Sequence, residues 1–211
     1  DYKRVGDGDV GPNTGGMGSY SPLTWAPADL AEQVVREVAQ PVVDEMARRG
    51  TSFTGLLYCG LALTGKGLRV VEFNVRFGDP ETQVVLARLT SSLAQLLHAA
   101  ATGRLAEVPA PTWRPEAAVD VVLAAPGYPG AVTTGGLLTG LDAAEEVEGV
   151  HVLHAGTGFS DDGELVATGG RVLSVVALGD DVQAARERAY QAVGRLGLPG
   201  SHYRTDIAAG R

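Results

Sequence analysis

The first 22 residues, DYKRVGDGDVGPNTGGMGSYSP, show almost no hydrophobic period and read as a loop. A helix is predicted from Ala28 to Arg49, where Leu30, Val34, Val38, Val42 and Met46 recur at helical spacing. Gly50 is placed to end it, and Pro41 predicts a kink or break within it. Residues 53–63 and 68–77 then read as two strands, joined by a hairpin turn at Thr64-Gly65-Lys66-Gly67. Asp79-Pro80-Glu81 has the chemistry of a helix start: a capping carboxylate, a proline in the first turn and an acid at the positive end of the dipole. One or two helices follow to about Thr102, and the proline-rich stretch 106–116 marks a boundary.

Beyond that boundary the pattern favours strands. Residues 118–125 run apolar, Gly127-Tyr128-Pro129-Gly130 turns the chain, and VHVLHAG, ELVATGG and RVLSVVALG supply further short strands. A last helix is predicted from a cap at Asp180 or Asp181 to about Leu196. The fold class is α+β, largely antiparallel, in two units.

Polar residues interrupt the apolar pattern most informatively at LRVVEFNVRFGDPETQ, residues 68–83. Strict alternation puts Leu68, Val70, Glu72, Asn74 and Arg76 on one face and Arg69, Val71, Phe73, Val75 and Phe77 on the other. Three consecutive polar positions on one face have two readings. They meet a ligand, with Glu72 and Asn74 offering oxygens suited to Mg²⁺ and Arg76 a planar donor for phosphate or carboxylate. Alternatively, they form an outward face with a routine Glu–Arg pair.

The opening segment has two readings of its own. Its six glycines stand among aspartates, an asparagine and cations, and Gly15, Gly16 and Gly18 would let backbone N–H groups approach an anion. No Lys-Ser/Thr pair follows, so it is not a phosphate loop, and Gly11 and Pro12 fall where an EF-hand needs a ligand and its glycine. Its aspartates suit an amine partner; the plainer alternative is a flexible surface loop.

Composition excludes more than it selects. A net charge of −8 with scattered basic residues argues against nucleic acid. No apolar run approaches the roughly 20 residues needed to span a bilayer. The single cysteine, Cys59, reads as a small buried hydrophobe, and the cytoplasm is the expected compartment. The chain opens without Met or a leader pattern, as a fragment of a longer protein would. His98, His151 and His154 are not grouped as metal ligands, Trp25 and Trp113 read as core or boundary packing, and RERAYQAVGR at 186–195 as a solvated helix face.

Three stretches together resemble the phosphoribosylamine–glycine ligase family: KRVGDGDVGPNTGGMGSYSP at 3–22, EFNVRFGDPETQ at 72–83 and GGRVLSVVALG at 169–179. The likeness runs from Asp1 to about Ile207. It implies the larger lobe of an ATP-grasp domain at 1–107, a linker at 108–114 and a small mixed α/β C-terminal domain at 115–211, with the N-terminal lobe and preceding domain absent. It implies ATP-dependent joining of glycine to 5-phosphoribosylamine, with Glu72 and Asn74 holding Mg²⁺ or Mn²⁺ and Arg76 catalytic. Asp9, Asn13, Thr14, Gly15, Gly16, Met17, Gly18, Asp79, Pro80 and Glu81 are the implied substrate-binding residues. ATP, glycine and phosphoribosylamine are the expected partners, with no nucleic acid or membrane and a monomer or weak dimer as the assembly. The chain alone is expected to be inactive, with half the ATP site missing. The rivals are another purine-pathway ATP-grasp ligase and a non-catalytic fragment of the same fold.

Overall fold

The computed structural model describes residues 1–210. Its residues fall into two compact units that do not follow the chain's linear order. The first gathers Asp1–Pro22, Asp79–Leu89 and the chain from Trp113 onward; the second holds Leu23–Gly78 and Thr90–Thr112. The division expected at 107–115 is therefore not the one contacts make, because the opening segment and the first helix after Asp79 pack with the C-terminal strands.

The first unit is built on β6 (Ala117–Ala124), whose eight residues are all buried. Such a run carries little alternation because both faces are covered. β6 sits in an antiparallel sheet of order β3-β6-β10-β7, with β3 at Gly18–Ser21, β10 at Arg171–Gly179 and β7 at Val150–His154. On one face Val119, Val121, Val175 and Ala177 pack with Ala185, Ala189, Ala192 and Val193 of α6 (Val182–Val193). Each fully buried valine contributes about 1.5–3 kcal/mol relative to exposure. Asp181 caps α6 by accepting from the Ala184 N–H at 2.8 Å.

The opposite face lies under α3 (Glu81–Arg88). Ser19 Oγ donates to Pro80 O at 2.8 Å, and Arg88 Nη1 donates to Ser21 Oγ at 2.8 Å. The opening 22 residues are thus not a loop. They form the hairpin β1 (Arg4–Gly6) and β2 (Val10–Asn13), then β3 in the main sheet. Short strands built from glycine and polar residues leave no period to read. The same holds for β8 (Thr157–Phe159), which pairs with β9 (Leu165–Ala167), and for the five-residue helix α5 (Leu141–Glu145).

In the second unit the helical stretch predicted to kink is continuous, but its winding widens. α1 (Leu30–Val34) passes through five π-wound residues, Val35–Ala39, into α2 (Gln40–Arg48). Pro41 stands in the first turn of α2, and the wider winding before it relieves the missing N–H and the ring clash. Gly50, at φ 77°, closes the helix: its N–H donates to Ala47 O and that of Thr51 to Met46 O, a Schellman pair. The hairpin strands are β4 (Tyr58–Thr64) and β5 (Gly67–Asn74), both shorter than the pattern predicts. α4 (Leu93–Ala101) follows, capped by Ser92.

Trp25 and Trp113, expected as core or boundary packing, are 54% and 47% exposed; Trp113 opens the last segment of the first unit and bridges Leu89. In the stretch 186–195, Arg186 Nε donates to Ile207 O and Arg188 Nη1 to Leu178 O, so this face of α6 holds neighbouring chain as well as water. No helix among the described residues is long and apolar enough to cross a membrane.

Candidate functional site

In the second unit, β5 carries Glu72 and Asn74 two residues apart, opposite Gly60 and Tyr58 of β4. Leu61 pairs with Val70 but Gly60 with Glu72, so Val71 is an extra residue in a β-bulge. A one-residue slip flips every side chain beyond it. Cross-strand partners share a face, so Glu72, Asn74 and Arg69 stand together with Gly60, Tyr58 and Ala62. Leu68 and Val70, expected beside Glu72, lie on the other face. The pairing of Glu72 with Asn74 survives this correction.

Arg76 does not share that row, because the strand ends at Asn74. It lies in the bend that follows, and its Nη1 donates to Phe77 O at 2.8 Å. The apolar residues Val71 and Phe73 are 71% and 42% exposed, so this strand is not buried on its apolar side. Cys59, opposite Phe73, is half-buried, and burial pushes its thiol pKa up, away from nucleophilic thiolate.

The residues present fit a divalent cation of modest demand. A Cβ at position 60 would lie 2.9 Å from Glu72 Cγ, so Gly60 leaves the room that the Glu72 side chain occupies. A carboxylate and an amide oxygen on one face suit Mg²⁺, which takes few protein donors and completes its shell with phosphate and water. Among the described residues no group of three or more His, Cys, Asp or Glu is placed to hold a metal.

The first unit gathers the other candidates, and it treats them differently from the sequence expectation. Gly15 N–H donates to the Tyr128 hydroxyl at 2.9 Å, Gly16 N–H to Thr14 Oγ1 at 2.9 Å and Met17 N–H to Tyr2 O at 2.8 Å. These amides are therefore engaged and do not form an open anion cradle. The glycines serve close approach instead. A Cβ at Gly16 would stand 2.2 Å from Pro80 Cδ, and one at Gly18 would stand 2.5 Å from Asp120 O. Both also hold positive φ, at 124° and 155°. Met17 is fully buried.

Arg171, at the start of β10, ties this segment to Asp79. Its Nη2 donates to Asp79 Oδ2 and its Nη1 to Asp79 O, both at 3.0 Å, while Gly16 O lies at 3.5 Å from Nη1. Asp79 does not cap the helix backbone as predicted; Pro80 takes that position, and Asp79 Oδ1 accepts from Gln83 Nε2 at 2.9 Å. Glu81 occupies the first turn of α3 with Lys3 Nζ 3.7 Å away. Asn13 ends β2, exposed and paired with Arg4.

The cation expected for the aspartates is supplied by the chain itself. Arg204 is 1% exposed and forms a two-pronged pair with Asp206, Nε to Oδ1 and Nη2 to Oδ2, each at 2.7 Å. Its Nη1 donates to Asp9 Oδ1 at 2.8 Å and to Arg4 O at 3.1 Å, and the guanidinium lies 4.7 Å from the Tyr2 ring centroid. Gly8 N–H donates to Asp206 Oδ2 and Thr205 N–H to Asp7 Oδ1. Hydrogen bonding to Arg204 holds the Asp206 carboxyl down to about 2, and the same pairing raises the guanidinium. Asp9 is thus part of a clamp between the β1–β2 hairpin and the C-terminal tail. Arg171, Tyr128 and Arg204 escaped the sequence reading, although acids this dense in DGD need a cation and Arg171 lies within GGRVL.

The comparisons with known proteins agree with this architecture. The model of the phosphoribosylglycinamide synthetase ATP-grasp (A) domain matches residues 1–82, and that of its C domain matches residues 118–210. A phosphoribosylamine–glycine ligase from Streptomyces coelicolor is 61% identical across 99% of this chain, which covers 50% of that protein. A chloroplastic one from Arabidopsis thaliana is 50% identical, with 98% of this chain and 39% of that protein covered. The crystal structure of the Thermotoga maritima phosphoribosylamine–glycine ligase superposes with a TM-score of 0.84 at 37% identity, covering 98% of this chain and 50% of the other. The chain spans about half the length of the bacterial relatives it matches. It is an α+β protein of ATP-grasp type. The chain belongs to the phosphoribosylglycinamide synthetase family.

Proposed function

We propose that this chain supplies the metal-bearing half of an ATP-dependent carbon–nitrogen ligase that joins glycine to 5-phosphoribosylamine. The observation that carries it is the Glu72–Asn74 pair, set on one face by strand alternation with Gly60 leaving room, in a chain matched end to end by ligases of that name. Glycine's carboxylate attacks the γ-phosphorus of ATP, releasing ADP and forming glycyl phosphate. The amine of phosphoribosylamine then attacks the acyl carbon, the C–O bond to phosphate breaks, and glycinamide ribonucleotide forms with loss of a proton. Glu72 and Asn74 would hold Mg²⁺ or Mn²⁺, which neutralises phosphate charge when bound. Arg76 is assigned to the transferring phosphoryl group, as a preorganised cation where negative charge develops.

The substrate-binding surface is assigned to Asn13–Gly18 with Asp79–Glu81, two segments that Arg171 joins. It would act through side chains and carbonyls, because the Gly15, Gly16 and Met17 amides are engaged. In domain terms we assign 1–107 to the larger ATP-grasp lobe and 115–211 to the C-terminal domain; the matches at 1–82 and 118–210 support this. The cytoplasm and a monomer or weak dimer complete the proposal.

The test measures ADP release by the chain alone and by a chimera carrying the half of the Streptomyces coelicolor relative that this chain does not match. Release by the chimera that needs both glycine and phosphoribosylamine is expected, with little from the chain alone. Release with another acid or amine would overturn the substrate assignment, and none under any combination would favour a non-catalytic protein. In the same chimera, Gly60→Val is expected to weaken Mn²⁺ binding about 10–100-fold, as loss of a ligand's support does. A Mn²⁺ titration with bound nucleotide reads this, and unchanged affinity would remove Glu72 from the metal.

A further inference from the structure

Asp120 lies at the centre of the four-stranded sheet and is wholly buried. It pairs with Ser19 on one side and Val176 on the other. Ser19 directs its hydroxyl to Pro80 O at the start of α3, so Asp120, its same-face neighbour, points into the layer beneath α3. Among the described residues its side chain is hydrogen-bonded by Ser174, whose Oγ donates to Oδ2 at 3.1 Å. Oδ1 has no partner. A single neutral donor does not sustain a carboxylate removed from water.

On α3, which packs over this face, a second buried oxygen has no partner among the described residues: Oε1 of Gln83. The amide nitrogen of that side chain is already donated to Asp79 Oδ1, so its carbonyl is what remains. Two bare acceptors cannot satisfy one another, whereas a proton on Asp120 would turn Oδ1 into a donor.

We propose that Asp120 is kept as a neutral carboxylic acid whose Oδ1–H donates to Gln83 Oε1, fastening the start of α3, with Asp79, Pro80 and Glu81, to the sheet. Asp120 is a positioning residue. Its consequence for substrate rests on the proposed function above; the proton itself does not.

The surrounding charges agree. Burial is the largest cause raising the Asp120 pKa, Asp79 raises it further, and Ser174 and Arg171 only oppose. Around this layer the other titratable groups are Glu81 and Arg88 on α3, Glu116 before β6 and His151 of β7, in the row of Val176. An aspartate raised in the folded state stabilises below its unfolded value and loses that stability as pH climbs toward the folded value.

The experiment compares the thermal unfolding of the chain with that of Asp120→Asn, whose amide can donate to Gln83 while accepting from Ser174. Above about pH 4, the variant's Tm should gain on the parent by about 3–5 °C per pH unit until the folded pKa is passed. Parallel curves would overturn the proposal. A second measurement stands even where the variant fails to fold: the infrared spectrum of the chain carrying ¹³C-carboxyl aspartate at pH 7. An isotope-shifted carboxylic C=O band is expected, distinguishing Asp120 from Glu116; its absence means an ionised Asp120 and sinks the idea. A double-mutant cycle of Asp120→Leu with Gln83→Met should show coupling; none would overturn Gln83 as the acceptor.

Discussion

Asp206→Ala is expected to lower the stability of this chain by about 3–5 kcal/mol, the range found when one partner of a buried ion pair is removed. The asymmetry of the clamp is the reason. The Arg204 side chain is 1% exposed, while those of Asp206 and Asp9 are 29% and 54% exposed. Removing Asp206 strands a guanidinium that water cannot reach, with Asp9 as its remaining carboxylate, and takes the acceptor from Gly8 N–H. Removing the cation instead leaves two carboxylates that water can reach, so Arg204→Met should be the milder change. Urea midpoints at unchanged slope measure both. The reverse order would mean that the guanidinium's hydrogen bonds, rather than its desolvation, dominate. The pH dependence follows from the same pair. A carboxyl held down to about 2 contributes stability that is present above its unfolded value near 3.9 and is lost as pH falls toward 2. Asp206→Asn should therefore flatten the acid limb of the stability curve.

Arg76→Ala in the chimera is expected to lower glycine-dependent turnover about 10²–10³-fold, the usual effect of removing one preorganised group at developing charge. Arg76 fits that role because its Nη1 is held on the neighbouring Phe77 carbonyl, beyond the strand end. Steady-state kinetics separate the possibilities. A fall in kcat with little change in KM for ATP places Arg76 at the transferring phosphoryl group. A rise in KM alone would make it a ground-state contact, and unchanged turnover would remove it from the site.

The parts of this fold that were legible from sequence have long, one-sided patterns. Leu30 to Met46 declared a helix, and Pro41 its disturbance, although the chain absorbed the proline by widening its winding rather than by breaking. The apolar run at β6 was equally plain, and the cap of α6 was narrowed to Asp180 or Asp181, of which Asp181 serves. Glu72 and Asn74 could be placed on one face because alternation is local. The bulge at Val71 could not be seen, since an extra residue in one strand shows itself only against its partner. Long-range partners were the other blind spot. Arg204 and Asp9 are 195 residues apart, and nothing near Asp9 foretells the guanidinium that occupies it. The glycines of 15–18 suggested an anion cradle, but the amides of Gly15, Gly16 and Met17 donate to Tyr128, Thr14 and Tyr2, and the missing glycine side chains admit Pro80 and β6. Glycine in sequence announces close approach without saying to what.

The most direct test of the ligase proposal follows one oxygen atom. The chimera would be run with ATP, phosphoribosylamine and glycine labelled with ¹⁸O in its carboxylate, and the released phosphate examined by mass. One labelled oxygen in each phosphate is predicted, because glycyl phosphate leaves its bridging oxygen on phosphorus. Unlabelled phosphate, formed at the same rate as ADP, would contradict the proposal, since the glycine carboxylate would then never have attacked ATP.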